Sequence, residues 1–232
     1  MKIGIIGYGK MGKAIEKVAI DRGHLIIFKT NKCDLNFIND VDVTIEFSTP
    51  ESAFTNIKNC IDTNVPVVSG TTGWLEDLDD IKKLCDKKNG SFLYASNFSL
   101  GANIFFELNK KLAHLMSDKN QYKTSIDETH HIHKLDRPSG TAITLADDII
   151  SNSRYKNWEL DSSSKDKINI NSSREKEVNG VHKVVYSSEN DIISIKHEAL
   201  NRNGFALGAV ISAEWLVNKK GCFSISDMLI IG

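Results

Sequence analysis

Short apolar runs and stretches of helical apolar spacing follow one another through the first 98 residues. Residues 2–6 form one such run, bounded at once by Gly7-Tyr8-Gly9-Lys10-Met11-Gly12. It predicts a buried parallel strand. Residues 13–22 place apolar side chains at Ala14, Ile15, Val18 and Ala19, the spacing of a helix, and Gly23 supplies its C-cap. Further strands are expected over 24–28, 41–47, 65–69 and 91–95, with helices starting at Pro50 and spanning 74–88. Strand alternating with helix predicts a doubly wound α/β sheet.

Beyond residue 98 the pattern changes. Residues 99–117 read as a long helix whose Ile104, Phe105, Leu108, Leu112, Leu115 and Met116 are expected in the core. Residues 123–131 alternate as a strand, and 141–151 read as a helix with Ile143, Ala146, Ile149 and Ile150 inward. The Ser-, Asn- and Lys-rich stretch 151–171 has no clear period and is expected to be a surface excursion. Two more strands follow over 181–187 and 191–199, then an apolar helix with small residues over 204–217 and a short tail over 223–231. This is an α+β insert, after which the chain is expected to re-enter the first domain. Few helices are available to cover the insert's sheet, so one apolar face is expected to be an interface.

Composition narrows the classes. The chain has 232 residues, 41% hydrophobic and 25% charged, which is ordinary for a globular domain pair with ample core. A net charge of -1 argues against a nucleic-acid or membrane-surface partner. Cys33, Cys60, Cys85 and Cys222 are far apart and form no Cys-x-x-Cys pair, so a structural zinc site is not expected. Scattered cysteines, no signal-peptide pattern and no membrane-length apolar run together predict a cytoplasmic location.

Two stretches carry candidate chemistry. Gly-x-Gly-x-x-Gly sits between a predicted strand and a predicted helix, the context that dinucleotide binding requires. Gly7 suits the tight turn, Gly9 the approach of a pyrophosphate, and Gly12 close helix–strand packing. The end of the second strand carries Lys29 and no carboxylate, with Lys32 and Asp34 beyond it. Such an end does not repel the 2'-phosphate of NADPH, while a solvated lysine is the structural alternative. The other stretch is Glu128-Thr-His130-His131-Ile-His133-Lys134-Leu-Asp-Arg137-Pro-Ser-Gly140-Thr141, which holds three of the seven histidines. Two proton carriers and a cation beside a helix start suit protonation of an anionic substrate. On a strand His130 and His131 face opposite ways, so clustered histidines do not by themselves make a metal site, and no metal is expected. His24 and His114 are read as structural or surface residues, and Arg137 as solvated.

These residues resemble a known family. Glu128-x-His-His-x-x-Lys134-x-Asp-x-Pro-Ser-Gly-Thr141 is similar to the signature of the 4-hydroxy-tetrahydrodipicolinate reductases, also called dihydrodipicolinate reductases. In the same order come Glu46-Phe-Ser-Thr-Pro-Glu51, Gly70-Thr71-Thr72-Gly73, Ser96-Asn97-Phe98-Ser-x-Gly101, Arg174 with Gly180-x-His182, His197-Glu-Ala, and Phe205-Ala-x-Gly-Ala209. The resemblance implies an oxidoreductase of lysine and diaminopimelate biosynthesis that reduces a cyclic dicarboxylate with NADPH or NADH. It implies a Rossmann-type domain over 1–98 and 206–232, with a substrate-binding and oligomerisation domain over 99–205 that forms a homotetramer. Matching positions make His130 and Lys134 the proton-transfer pair, and His131, Gly140 and Thr141 the substrate contacts. The coenzyme falls to Gly7, Tyr8, Gly9, Lys10 and Met11, to Gly70, Thr71 and Thr72, and to Ala95, Ser96, Asn97 and Phe98, with Lys29 at the ribose. The chain departs from the family in a glycine turn one residue shorter than in some members, a short link between Phe28 and Val41, and Lys176 in place of a glycine. Another two-domain nicotinamide-dependent amino-acid dehydrogenase, or a nucleotide-sensing module without turnover, stays open at this point.

Overall fold

The computed structural model describes residues 1–31, 38–162, 164, 166–201 and 203–229, so Lys32, Cys33 and Asp34 lie outside the described residues. The chain divides into two compact units, Met1–Leu100 with Asn203–Gly232, and Gly101–Arg202.

The first unit alternates strand and helix: β1 (Lys2–Ile6), α1 (Lys10–Asp21), β2 (Leu25–Thr30), β3 (Val43–Glu46), α2 (Pro50–Asp62), β4 (Val67–Ser69), a 3-10 turn (Leu75–Asp77), α3 (Leu78–Lys88) and β5 (Ser91–Tyr94). The helix expected over 74–88 thus begins as a 3-10 turn. The six-stranded sheet runs β11-β5-β4-β3-β1-β2, all parallel. Its edge strand β11 (Gly221–Ser224) and the helices α6 (Asn203–Leu216) and α7 (Ile225–Leu229) come from the end of the chain. What reads as a tail is therefore a parallel strand paired with β5.

Both faces of this sheet are covered, as parallel sheets require. Ile3, Ile5, Val68 and Leu93 pack with Ile15 and Ala19 of α1 and with Ala206, Ala209, Ala213 and Leu216 of α6. Ile6, Val67 and Phe92 face the other way, onto Ile57 and Cys60 of α2 and Ile81 and Cys85 of α3. Each fully buried isoleucine or leucine contributes ~1.5–3 kcal/mol. The small residues of α6 have a local reason. A Cβ on Gly208 would lie 1.7 Å from the Phe98 carbonyl oxygen, so only glycine lets α6 approach that loop.

The second unit contains α4 from Gly101 onward (the whole helix is Leu100–Met116), β6 (Lys123–His131), α5 (Gly140–Ile150), β7 (Asn157–Leu160), β8 (Lys167–Glu175), β9 (Val181–Ser187) and β10 (Ile192–Glu198). Its sheet runs β10-β9-β6-β8-β7, with β6, β8 and β7 parallel and the other pairs antiparallel. Strands β7 and β8 occupy much of the stretch expected to be irregular. Ile168 and Ile170 do point inward, but the same face of β8 continues with Ser172 and Arg174, so the apolar alternation ends after two positions.

Ile126, Ile168, Ile170 and Val184 pack against Phe105 and Ala113 of α4 and Ala142, Leu145, Ala146 and Ile149 of α5. The inward stripe of α4 is Ala102, Phe105, Asn109 and Ala113. Ile104, Leu108 and Leu115, expected in the core, are exposed, because the helix turns Phe105 rather than its neighbours toward the sheet. Ile143 is likewise only half-buried. The open face of the sheet is also more polar than expected. Asn171 donates to Asp127 at 2.6 Å and Asn169 to Asn171 at 2.8 Å across it. No helix of the described residues is long and apolar enough to cross a membrane.

Candidate active site

In the first unit the glycine turn links β1 to α1. Gly7 has φ +94° and donates its N–H to Thr30 at 2.7 Å. A Cβ there would lie 2.0 Å from the Phe47 carbonyl oxygen, and one on Gly12 would lie 2.3 Å from the Gly7 carbonyl oxygen. Gly9 differs: nothing lies within 4 Å of its Cβ position. It is the N-cap of α1, whose first turn carries no acidic residue and no side-chain cap. An open helix start beside an uncovered backbone fits a pyrophosphate. The residues present therefore suit a nicotinamide dinucleotide.

Two further loops lie at the ends of neighbouring strands. Buried Glu46, at the end of β3, accepts from Ser48, from Ser69 at 2.6 Å and from Thr71 at 3.0 Å. Thr71 also accepts from the Ser48 N–H at 2.9 Å, so its hydroxyl shapes the loop while Thr72 stays exposed. In the third loop Ser96 is exposed and Asn97 accepts from the Ser99 N–H at 2.8 Å. Phe98 turns its ring into the core, 5.5 Å from Phe47. Tyr8 and Met11 are half-buried and Lys10 is exposed.

Lys29 is not simply solvated. Its Nζ lies 2.8 Å from the Glu16 carboxylate and 4.8 Å from the centre of the Tyr8 ring. Tyr8 also donates its hydroxyl to Glu16. These bonds from Lys29 and Tyr8 hold the Glu16 carboxyl below the usual range.

In the second unit, strand alternation buries Glu128 and His130 while Thr129 and His131 lie on the opposite face. The Pro138-Ser139-Gly140-Thr141 turn then starts α5. The Ser139 N–H donates to both Glu128 oxygens at 3.1 Å, and its hydroxyl oxygen caps the helix by accepting from Ala142 N–H at 3.2 Å. Ile143 N–H reaches the Ser139 carbonyl. Among the described residues this leaves the N–H groups of Gly140 and Thr141 at the helix start, open to an anion. Nothing lies within 4 Å of the Gly140 Cβ position.

Two arginines fix the loop between β6 and α5. Arg174 on β8 donates to the carbonyls of Lys134 at 3.2 Å and Asp136 at 2.6 Å. Arg137 is exposed, as expected, and also donates to Asp161 at 2.5 Å and to the Ser172 carbonyl at 2.6 Å. The Lys134 ammonium pairs with Asp136 at 2.8 Å, which lowers the Asp136 carboxyl. His131 is half-buried, its Nδ1 has no hydrogen-bond partner among the described residues, and its ring lies 6.2 Å from that of exposed His133.

Glu128 is where the site's charges meet. It accepts from Ser172 Oγ at 2.6 Å and lies 3.5 Å from Arg174, 3.6 Å from His130 Nδ1 and 3.7 Å from His182 Nε2. Burial alone would raise its carboxyl, but the His182 ring, Ser139 and Ser172 outweigh that and hold it well below the usual range. Burial pushes the His130 imidazole down to about 4, and neighbouring His182 adds to this. Glu128, His130 and His182 bring three potential ligand atoms within 4.8 Å of one another. This group is hidden in the sequence, where His130 stands next to His131, because it needs alternation along β6 plus a cross-strand partner from β9. The carboxylate already accepts from two serines and faces a guanidinium, the chemistry of a hydrogen-bonded ion cluster.

The family models described as "Dihydrodipicolinate reductase, N-terminus" and "Dihydrodipicolinate reductase, C-terminus" match residues 1–98 and 101–229. The 4-hydroxy-tetrahydrodipicolinate reductase of Christiangramia forsetii is 50% identical, covering 99% of this chain and 98% of its own. That of Rickettsia rickettsii is 37% identical over 98% of each chain. Among solved structures, a dipicolinate-bound dihydrodipicolinate reductase from Paenisporosarcina sp. TG-14 shares the fold with a TM-score of 0.81 at 22% identity, covering 98% of this chain and 99% of the other. Full-length identity of this order and both matched halves place the chain in the dihydrodipicolinate reductase family.

Proposed function

We propose that this protein reduces 4-hydroxy-tetrahydrodipicolinate to tetrahydrodipicolinate with a reduced nicotinamide coenzyme, in lysine and diaminopimelate biosynthesis. The observation that carries this is the 50% identity to the Christiangramia forsetii reductase along the whole chain. The site chemistry supports it, because a buried histidine, a lysine and an open helix start are collected in the second unit.

The ring hydroxyl leaves as water, and reduction of the imine or enamine that remains needs hydride at carbon and a proton at its neighbour. A bound reduced nicotinamide supplies the hydride. Gly7 to Met11 would hold its pyrophosphate, with Gly70, Thr71 and Thr72 and the backbone of Ala95 to Phe98 as further contacts. Lys134 donates the proton from the loop that Arg174 clamps. His130 is neutral at pH 7 and passes a proton on rather than storing one. The substrate's carboxylates meet the N–H groups of Gly140 and Thr141, and matching positions in the family assign His131 as a further substrate contact.

The coenzyme is NADPH or NADH, with the choice moderated by the Lys29–Glu16 pair. Units 1–100 with 203–229 and 101–201 serve coenzyme and substrate respectively. The open sheet face of the second unit is the surface through which four copies assemble, and the dispersed cysteines suit a cytoplasmic enzyme. The test is turnover of freshly generated 4-hydroxy-tetrahydrodipicolinate with NADPH and NADH in parallel. Loss of reduced-nicotinamide absorbance is expected with at least one of them. Coenzyme binding without turnover of either would overturn the reading.

A further inference from the structure

We infer that Glu128 is a positioning residue for His130, holding the ring as its Nδ1–H tautomer and binding the same ring to the Ser139–Gly140–Thr141 helix start.

The two Glu128 oxygens are unequally occupied. Oε1 accepts from Ser139 N–H at 3.1 Å and Ser172 Oγ at 2.6 Å, and lies 3.5 Å from Arg174. Among the described residues Oε2 accepts one hydrogen bond, the Ser139 N–H, also at 3.1 Å, with His182 Nε2 farther off at 3.7 Å, and so keeps a lone pair. That oxygen lies 3.6 Å from His130 Nδ1, a buried atom without a hydrogen-bond partner among the described residues. If Nδ1 carried no proton, two lone pairs would face each other in a buried place, at a cost of the order of ~1–3 kcal/mol. A proton on Nδ1 removes that cost. The distance is longer than a formed hydrogen bond, as is common for catalytic pairs before substrate binds.

The other side of the ring is kept clear. A Cβ at Gly180 would sit 3.2 Å from His130 Nε2. Glycine there spares Nε2 that contact, so the nitrogen that lacks the proton has room to accept it. A proton taken at Nε2 gives an imidazolium paired with Glu128 through Nδ1–H, and it leaves again from Nε2. Glu128 itself stays ionised throughout, the division of labour seen in carboxylate–histidine pairs elsewhere.

His182 is the third member. Its Nε2 lies 3.1 Å from Ser139 Oγ and 3.7 Å from Glu128 Oε2, and its ring meets His130 edge-on at 4.9 Å. One carboxylate thus orients the ring and, through Ser139, the first turn of α5. The charged or titratable groups around the ring are Glu128 on its own strand, Arg174 on β8, His182 on β9 and Lys134 on the following loop.

The kinetic half of this inference rests on the reduction proposed above; the tautomer does not. Histidine ring-nitrogen NMR of the resting wild-type protein is expected to show His130 protonated at Nδ1 and bare at Nε2 at neutral pH. The Nε2–H tautomer would overturn the inference whatever the enzyme's substrate. Glu128→Gln is expected to lose that tautomer preference and lower kcat by ~10²-fold or more, with coenzyme KM unchanged. Glu128→Asp should restore the tautomer and part of the rate. Equal rates for the Gln and Asp variants would reduce Glu128 to a structural role and contradict the inference.

Discussion

The ammonium of Lys29 lies 2.8 Å from the carboxylate of Glu16, nearly two turns into α1. The cation at the end of β2, proposed to face the coenzyme ribose, is therefore already partnered within its own unit. It cannot attract a 2'-phosphate at full strength, yet among the described residues no unpaired carboxylate stands there to repel one. NADPH and NADH are expected to be used with kcat/KM values within ~10-fold of each other. Glu16→Gln frees Lys29 and should shift the ratio toward NADPH, while Lys29→Glu should shift it toward NADH. Parallel kinetics at two salt concentrations check this, and a ratio insensitive to both substitutions would show that other residues set the choice.

The glycines of the turn separate coenzyme binding from folding. Gly9 has free space around its Cβ position, whereas Gly12 has a carbonyl oxygen 2.3 Å away. Gly9→Val is expected to fold with near-normal helix content and to lose nucleotide affinity, because the branched side chain fills the approach of the pyrophosphate. Gly12→Val should instead lower the melting temperature by several degrees, consistent with a loss of ~1–3 kcal/mol from overpacking. Fluorescence titration and thermal unfolding distinguish the two outcomes.

Arg174 holds the carbonyls of Lys134 and Asp136 from a neighbouring strand. Arg174→Ala should free the loop that carries Lys134 and lower kcat with little effect on coenzyme affinity. Arg174→Lys should rescue poorly, since an ammonium cannot reproduce a planar fork donating to two carbonyls at once. Full activity of the lysine variant would show that charge alone suffices.

His130 makes stability depend on pH. Burial lowers its proton affinity from the usual 6.5 to about 4. Between those values the unfolded chain binds a proton that the folded chain does not, so stability falls as pH drops through that window. The loss is on the order of 3 kcal/mol when complete, and His197, also lowered by burial, acts in the same direction. Glu128 adds a separate loss at lower pH, as the solution passes below the usual carboxylate range. Denaturant unfolding of wild type and His130→Gln from pH 7 to pH 4 should show the shallower slope in the variant.

The first five strands of the first unit were readable because each is a short apolar run, and β1, β3, β4 and β5 are buried along most of their length, whereas the half-buried edge strand β11 read as a tail. Strand β8 was not readable in this way. Its inward positions pass from Ile170 to Ser172 and Arg174, where the strand stops filling a core and starts building a site. The same substitution of polar for apolar residues hid the role of Glu128 and His182. Alternation puts Glu128 beside His130, but only the pairing of β6 with β9, which sets Glu128 opposite His182, brings the second ring to the same carboxylate. Glu16 was missed for a related reason, since its contact with Lys29 joins a helix to a strand and follows no short sequence spacing. The inward face of α4 went the other way: the larger aliphatic side chains Ile104, Leu108 and Leu115 point out, and Phe105 with small neighbours packs inward.

The central claim is that the Lys134–His130 site protonates a substrate being reduced. The direct measurement is turnover of freshly generated 4-hydroxy-tetrahydrodipicolinate by wild type, Lys134→Ala and His130→Ala, with coenzyme affinity titrated on the same samples. The account predicts robust coenzyme oxidation by wild type, kcat lower by ~10²–10⁴-fold in each variant, and unchanged coenzyme affinity. Near-normal turnover by both variants, with the fold intact, would contradict it.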